Sequence, residues 1–217
     1  MSKMNEIKHH LTDELLMAYS AGELPEAFSL VVATHISLCD DCRAALDALD
    51  CVGGALLEND SVAMSDDALA ATMKLIAGEL PKPISAPNRE DAVFPKPLQD
   101  YVGGDLAAVN WTTVGMGVRQ AILKTSKDAS VRLLHIPAGS AVPDHGHRGT
   151  ELTLVLKGAF RDENDRFGRG DLEVANEDMQ HTPIAEMGED CICLAATDAP
   201  LKFNGLLPRI AQPFLRI

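Results

Sequence analysis

Basic residues are in short supply: 19 Lys and Arg stand against 32 Asp and Glu, a formal charge of −13 over 217 residues. A phosphate backbone is held largely by cationic contacts, so this balance argues against direct, sequence-independent binding to nucleic acid. Long apolar runs are missing as well. No stretch approaches the 18 apolar residues of a membrane-spanning helix, and the opening Met1-Ser2-Lys3-Met4-Asn5-Glu6 lacks the apolar core of a secretory signal. We therefore expect a soluble, cytoplasmic protein. Cysteines number only five, three of them within residues 39–51 and two at Cys191 and Cys193. An odd, clustered set suits metal or redox chemistry better than a disulfide framework.

What is present divides the chain in two. Five of the 12 prolines (Pro81, Pro83, Pro87, Pro95, Pro97) crowd into residues 81–97, and because each fixes φ and most remove a backbone donor, this stretch reads as a linker between residues 1–80 and 98–217. Residues 1–80 carry 4 Lys and Arg against 14 Asp and Glu, net −10, and residues 81–217 carry 15 against 18. The acidity is thus N-terminal. That part reads as four helices. Thr12 caps the first over 12–20, with Asp13 and Glu14 at the positive end of its dipole. Pro25 opens a second, on which Phe28, Val31 and Val32 step toward His35. A third spans about 40–57, and Ser65 caps a fourth whose Leu69, Met73, Ile76 and Leu80 form an apolar stripe. Beyond the linker, short runs rich in Val, Ile, Leu and Thr predict strands over 107–114, 118–124, 131–136, 151–157, 172–175, 191–196 and 201–204, the spacing of a small barrel or sandwich.

The chemistry concentrates in two clusters. In His35-Ile-Ser-Leu-Cys39-Asp-Asp-Cys42, a helix running through Leu38 places His35 and Cys39 on one face, with Cys42 one turn on. An upstream His9 or His10 completes a Cys₂His₂ set of the kind that closes round structural Zn²⁺, and so small a helical core gains stability from such a site. Cys51, nine residues past Cys42, reads as core. These residues resemble the zinc-binding anti-sigma family, whose signature is an upstream His followed by His-x-x-x-Cys-x-x-Cys on a small helical domain. The resemblance implies His10, His35, Cys39 and Cys42 as zinc ligands. It also implies a cytoplasmic protein that holds an extracytoplasmic-function-type sigma factor inactive in a 1:1 complex, away from core RNA polymerase.

The second cluster lies in Gly139-x₅-His145-x-His147-x₃-Glu151-x₆-Gly158, which resembles the first motif of the cupins. On an extended strand His145 and His147 point the same way, and Glu151 keeps that parity if the strand continues through it. The second cupin motif is partial: His181 follows Gly170 by eleven residues, but Asn176, Asp178 and Ala185 stand where Pro, Gly and Asn are expected. Three imidazoles and a carboxylate suit Zn²⁺, Fe²⁺, Mn²⁺ or Ni²⁺ alike. Cys191 and Cys193, on one face of a strand, are candidates for oxidation near that metal. The chain is thus expected to be multidomain, α and β: a small zinc-binding four-helix domain followed by a cupin-like β-barrel, each with one metal.

Two functions compete. One is a regulator whose helical domain captures a sigma factor, partly through Leu69, Met73, Ile76 and Leu80, and whose cupin-like domain governs release; for anti-sigma proteins that carry such a cupin-like domain, the resemblance implies release during singlet-oxygen stress. The other is a cupin enzyme, a dioxygenase or isomerase, with an accessory zinc domain. The acidic N-terminal part complements the basic surface of a DNA-binding partner, and the resemblance favours the regulator.

Overall fold

A computed structural model describes residues 6–58, 61–78 and 92–203. Helix α1 spans Asp13–Ser20, and the Thr12 side chain accepts from the Leu15 amide at 3.3 Å, as the capping pattern predicts. Helices α2 (Glu26–Ile36), α3 (Asp40–Glu58) and α4 (Ala68–Ile76) follow, with Pro25 just outside α2. The fourth helix starts later than its expected cap at Ser65. It buries no residue, so α1, α2 and α3 pack together and α4 stands apart from them. Cys51 is exposed on α3, not in the core, because that helix buries only Cys42 and Leu46.

The expected linker falls mostly outside the described residues, and its end is built into the fold. Phe94 is buried, its amide and that of Val93 donating to the Asp105 carboxylate at 3.0 and 3.1 Å. Pro95 then caps α5 (Lys96–Val102), a helix hidden from sequence reading by its prolines. A first-turn Pro gives up no intrahelical bond, which is why Pro97 is tolerated there. Gly103 ends α5 at φ +84°, a left-handed conformation that glycine adopts without strain.

Among the described residues twelve strands follow: β1 (Thr112–Gly115), β2 (Val118–Leu123), β3 (Ser130–Ile136), β4 (His145–Gly146), β5 (Glu151–Lys157), β6 (Ala159–Arg161), β7 (Arg166–Gly168), β8 (Leu172–Ala175), β9 (Gln180–His181), β10 (Ile184–Ala185), β11 (Cys191–Thr197) and β12 (Lys202–Phe203). They make a six-stranded sheet, β1-β2-β3-β11-β5-β8, and two three-stranded sheets, β10-β6-β7 and β12-β4-β9. Every pairing between these strands is antiparallel.

At its centre the large sheet is buried on both faces, so β11 reads as a nearly continuous apolar run and β5 as one interrupted only by the buried Thr153, where a sheet wetted on one face would alternate. Leu133, Leu152, Leu154, Leu194 and Ala196 project to one face and share a single core with Phe28 and Val31 of α2 and Leu98 of α5. Val155, Cys191 and Cys193 project to the other, against Phe160 and Phe167. Helix α2 is therefore clasped between α1 and α3 on one side and the sheet on the other. It is apolar nearly all round, as a helix enclosed on both sides must be. The helical and β parts are continuous through this core, whose fully buried Leu and Phe side chains each contribute about 1.5–3 kcal/mol.

Two candidate metal centres

Residues 7–11 run extended beside β8 and deliver His10 to the first centre. The Leu172 amide donates to the His9 carbonyl at 3.1 Å. One carboxylate anchors the segment: Asp171, buried, accepts from the Lys8 and His9 amides at 2.6 and 3.0 Å and from Gly168 at 2.8 Å. Ile7 seats on Gly170, where φ is +91° and a Cβ would come within 2.6 Å of the Ile7 side chain. Only glycine fits there.

His10 Nδ1 lies 3.2 Å from Cys39 Sγ and 3.6 Å from Cys42 Sγ, and His35 Nε2 lies 3.3 Å from Cys42 Sγ. All four donor atoms fall within 4.8 Å of one another. A tetrahedral ion with bonds of about 2.0 Å to nitrogen and about 2.3 Å to sulfur has N···S edges of about 3.5 Å, so the four groups are already spaced as ligands. Helix α2 ends at Ile36, short of the expected Leu38, but the chain bends so that the Cys39 amide still donates to the His35 carbonyl at 2.9 Å. Burial lowers His35 to about 4, leaving it the neutral donor a metal needs, and raises the Cys42 thiol to about 11. His9, the other candidate, turns away: its ring meets Asp165 at 3.1 Å and packs on Phe167.

The second centre lies inside the β part. His145 on β4 pairs directly with His181 on β9, and His147 follows two residues after His145. The Nε2 atoms of His145 and His147 each lie 3.3 Å from Nε2 of His181, again about the edge of a tetrahedron with metal–nitrogen bonds of roughly 2.0 Å. Two of the three far nitrogens are committed elsewhere, while Nδ1 of His147 is buried without a hydrogen bond among the described residues. His145 Nδ1 donates to the Pro143 carbonyl at 2.9 Å, and His181 Nδ1 meets Glu173 at 3.0 Å and Asp162 at 3.2 Å. These partners turn the Nε2 lone pairs inward, as carboxylate–histidine pairs do at metal sites. Burial works against protonating His181, yet Glu173 and Asp162 hold it up at about 9, so near neutral pH an ion would have to displace a proton from its Nε2.

Glu151 departs from the expected four-ligand set. β4 ends at Gly146 and β5 begins at Glu151 in a different sheet, so the strand parity that was to align the carboxylate with the histidines is broken. Its Oε1 accepts from Thr153 Oγ1 at 3.2 Å, and its Oε2 is 4.0 Å from His147 Nδ1. Burial, reinforced by Glu173, pushes its carboxyl to about 7. Asp162 and Glu173 were invisible to sequence reading, since they act on His181 from 19 and 8 residues away. A cleft of about 390 Å³ is lined by His10 of the first centre and by Asp162 and Glu173, the carboxylates that meet His181 of the second.

Cys191 and Cys193 are buried with sulfurs 3.5 Å apart. The Cys191 hydrogen bond and burial raise the Cys193 thiol well above its ordinary range, opposite to the lowering expected for a reactive thiolate. Leu69, Met73 and Ile76 are exposed at 73, 57 and 64%; Leu80 lies outside the described residues. The end of α3 adds Val52, Leu56 and Leu57, exposed at 61, 69 and 73%, which the sequence reading missed. No helix among the described residues is long and apolar enough to cross a membrane.

A helical module with a Cys₂His₂ cluster, fused to a cupin-like β domain with three imidazoles at its heart, defines the class. Residues 99–200 match the family described as the ChrR cupin-like domain. Over 212 residues, 97% of this chain and 99% of the relative, the sequence is 61% identical to the anti-sigma-E factor ChrR of Cereibacter sphaeroides. The fold matches the crystal structure of Rhodobacter sphaeroides SigE in complex with the anti-sigma ChrR at a TM-score of 0.77 and 59% identity, over 89% of this chain and 100% of that one. The chain belongs to the ChrR family of anti-sigma factors, regulators and not enzymes.

Proposed function

We propose that this chain binds an extracytoplasmic-function-type sigma factor 1:1 in the cytoplasm, keeps it from core RNA polymerase, and releases it under singlet-oxygen stress. The observation that carries the reading is the relative of 61% identity, an anti-sigma factor, together with the related chain crystallised with its sigma factor. The uncovered apolar residues of α4 and the end of α3 support it, because contiguous exposed apolar side chains mark interaction sites. In this reading residues 1–80 form the anti-sigma domain, 81–97 the linker and 98–217 the cupin-like domain. Capture falls to the stripe Leu69, Met73, Ile76 and Leu80.

His10, His35, Cys39 and Cys42 would hold a structural Zn²⁺, which fixes the N-terminal segment to the α2–α3 corner. His145, His147 and His181, with Glu151 as the fourth ligand once drawn in, would hold a second ion, assigned here as Zn²⁺. An ion at either site supplies a charge that orders its ligands. Cys191 and Cys193 are the candidate oxidised groups; their burial limits attack to small oxidants that enter the cavity Cys193 lines. Co-expression with the sigma factor of the related complex, followed by affinity capture and metal analysis, tests the reading. A 1:1 complex with two zinc ions per chain is expected; a chain with one iron and no sigma factor would overturn it.

A further inference from the structure

The β domain encloses a cavity of about 320 Å³, about twice the roughly 150 Å³ of an apolar cavity that binds benzene, and its lining changes along the strands. Next to the β1–β2 turn the wall is apolar, with Val118, Leu134, Ile136, Val142 and Phe160. Met116 on that turn lines the rim and is 77% exposed. Further in, register lays a polar row across the sheet: Arg132 on β3 lies opposite Ala195 on β11, Ala195 opposite Thr153 on β5, and Thr153 opposite Glu173 on β8. The groups of this inner wall answer one another. Arg132 donates to Gln120 Oε1 at 3.2 Å and attracts Glu151, Glu151 accepts from Thr153 Oγ1 at 3.2 Å, and Glu173 meets His181 Nδ1 at 3.0 Å. Thr197 donates to the Ala199 carbonyl at 2.7 Å, and His145 to that of Pro143 at 2.9 Å. Each polar side chain described on the wall thus has a partner within the protein, and the charges of opposite sign stand in pairs.

We propose that the outer, apolar half of this cavity binds a neutral lipophile of about 8–12 heavy atoms, such as a medium-chain alkanol or a bicyclic arene, lying between Leu134, Ile136 and Phe160. The inference goes beyond sigma-factor binding and does not rest on it. Each methylene brought in from water favours binding. A charged ligand of the same length gains no more from the apolar wall and finds no counter-charge left over. An anion meets Arg132 already engaged by Gln120 and Glu151, and a cation meets Glu173 engaged by His181, so either loses its hydration without replacement. With Glu151 as the fourth ligand proposed above, an ion at the imidazoles is closed and offers a head group no coordination position. An apolar wall also holds water weakly, so a lipophile displaces little that is bound tightly.

The test uses the full-length, metal-replete chain. Its probes are 1-octanol, octanoate and octylammonium, three charge states of one chain length, and the 1-alkanols from butanol to dodecanol. Calorimetry near pH 7 should show alkanol affinity rising about fourfold per methylene until the cavity is full, then levelling or falling. Octanoate and octylammonium should each bind about tenfold or more weakly than 1-octanol. Val142→Phe, which fills part of the apolar half, should weaken 1-octanol binding by about tenfold or more. Because overfilling can unfold the chain, the unmodified protein is also read by methyl NMR. There 1-octanol should shift the methyls of Val118, Leu134 and Ile136 and leave those of Leu69 and Ile76 on α4 unmoved. Overturning results are no saturable binding of any alkanol, an affinity that climbs through dodecanol without a limit, a charged analogue that binds as tightly as 1-octanol, shifts confined to α4, or undiminished affinity in folded Val142→Phe.

Discussion

His35 and Cys42 show how one residue can prepare a site without completing it. His35 at about 4 is neutral throughout the physiological range and has no proton to surrender, while Cys42 at about 11 is a thiol that must lose its proton to bind a metal. Zinc binding to the metal-free chain near pH 7 should therefore release at least one proton from Cys42, and apparent affinity should fall about tenfold per pH unit lost for each proton displaced. Calorimetry in two buffers of different ionisation enthalpy measures this; zinc uptake with no proton released would contradict the ligand assignment. Replacing Cys42 by Ser removes a thiolate from a site whose binding free energy is also folding free energy, of order 10 kcal/mol for structural zinc. The variant should lose its first-site zinc and the helicity of α1 to α3, read by metal analysis and circular dichroism. Spacing made His35, Cys39 and Cys42 legible in the sequence, because four- and three-residue steps converge wherever a helix ends and another begins. Asp171 was not legible: its three amide donors lie at positions 8, 9 and 168, and no local pattern announces a contact across 160 residues. Asp171→Asn keeps one acceptor oxygen but loses the charge, which costs about 2 kcal/mol and should lower the melting temperature by roughly 4–8 °C. An unchanged melting temperature would mean that the N-terminal segment is held by other means.

Among the elements, the helices and long strands were readable from period and punctuation, and the exceptions share physical causes. Strands β2, β3, β5, β8 and β11 fall within a residue of their expected spans. Strands β4, β6, β7, β9 and β10 have only two or three residues, too few for alternation to register, yet β4 and β9 carry two of the three imidazoles. Helix α5 was masked because prolines mark both linkers and first turns. Helix α4 is amphipathic as its pattern predicts, but pattern alone could not say that its apolar residues lie exposed among the described residues. That exposure permits a clean experiment. Leu69→Glu with Met73→Glu alters side chains already in water, so unfolding free energy should change by no more than about 0.5 kcal/mol per site. Sigma-factor capture should weaken at least tenfold, an apolar contact replaced by two buried charges. Normal affinity in this double variant, measured by surface plasmon resonance, would remove α4 from the proposed interface.

On the scale of the whole molecule, the question is whether capture and release can sit in separate parts when those parts share a core. The surface of α2 that carries Phe28 and Val31 packs on β5 and β11, and the segment bearing His10 is pinned by Asp171 of the β part. A fragment ending near residue 85 loses both supports but keeps the first centre whole, since His10, His35, Cys39 and Cys42 all precede the cut. Metal binding then has to supply what the sheet supplied. The fragment should retain one zinc and still capture the sigma factor, because the exposed apolar residues of α3 and α4 are all within it. It should also melt at a lower temperature than the full chain and bind a hydrophobic dye at the uncovered face of α2, with dye binding reduced once the sigma factor is bound. In the full chain the same contacts make the β part a lever on the helical part. A change at His145, His147 or His181 can favour release only by stabilising the sigma-free state relative to the bound one, and the route available runs from His181 through Asp162 and Glu173 to the cleft lined by His10. His145→Ala should therefore leave capture intact in unstressed cells and blunt induction of sigma-dependent transcription by singlet oxygen. Full induction would confine signalling to the helical part, and high transcription before exposure would show that the β part is needed for inhibition itself.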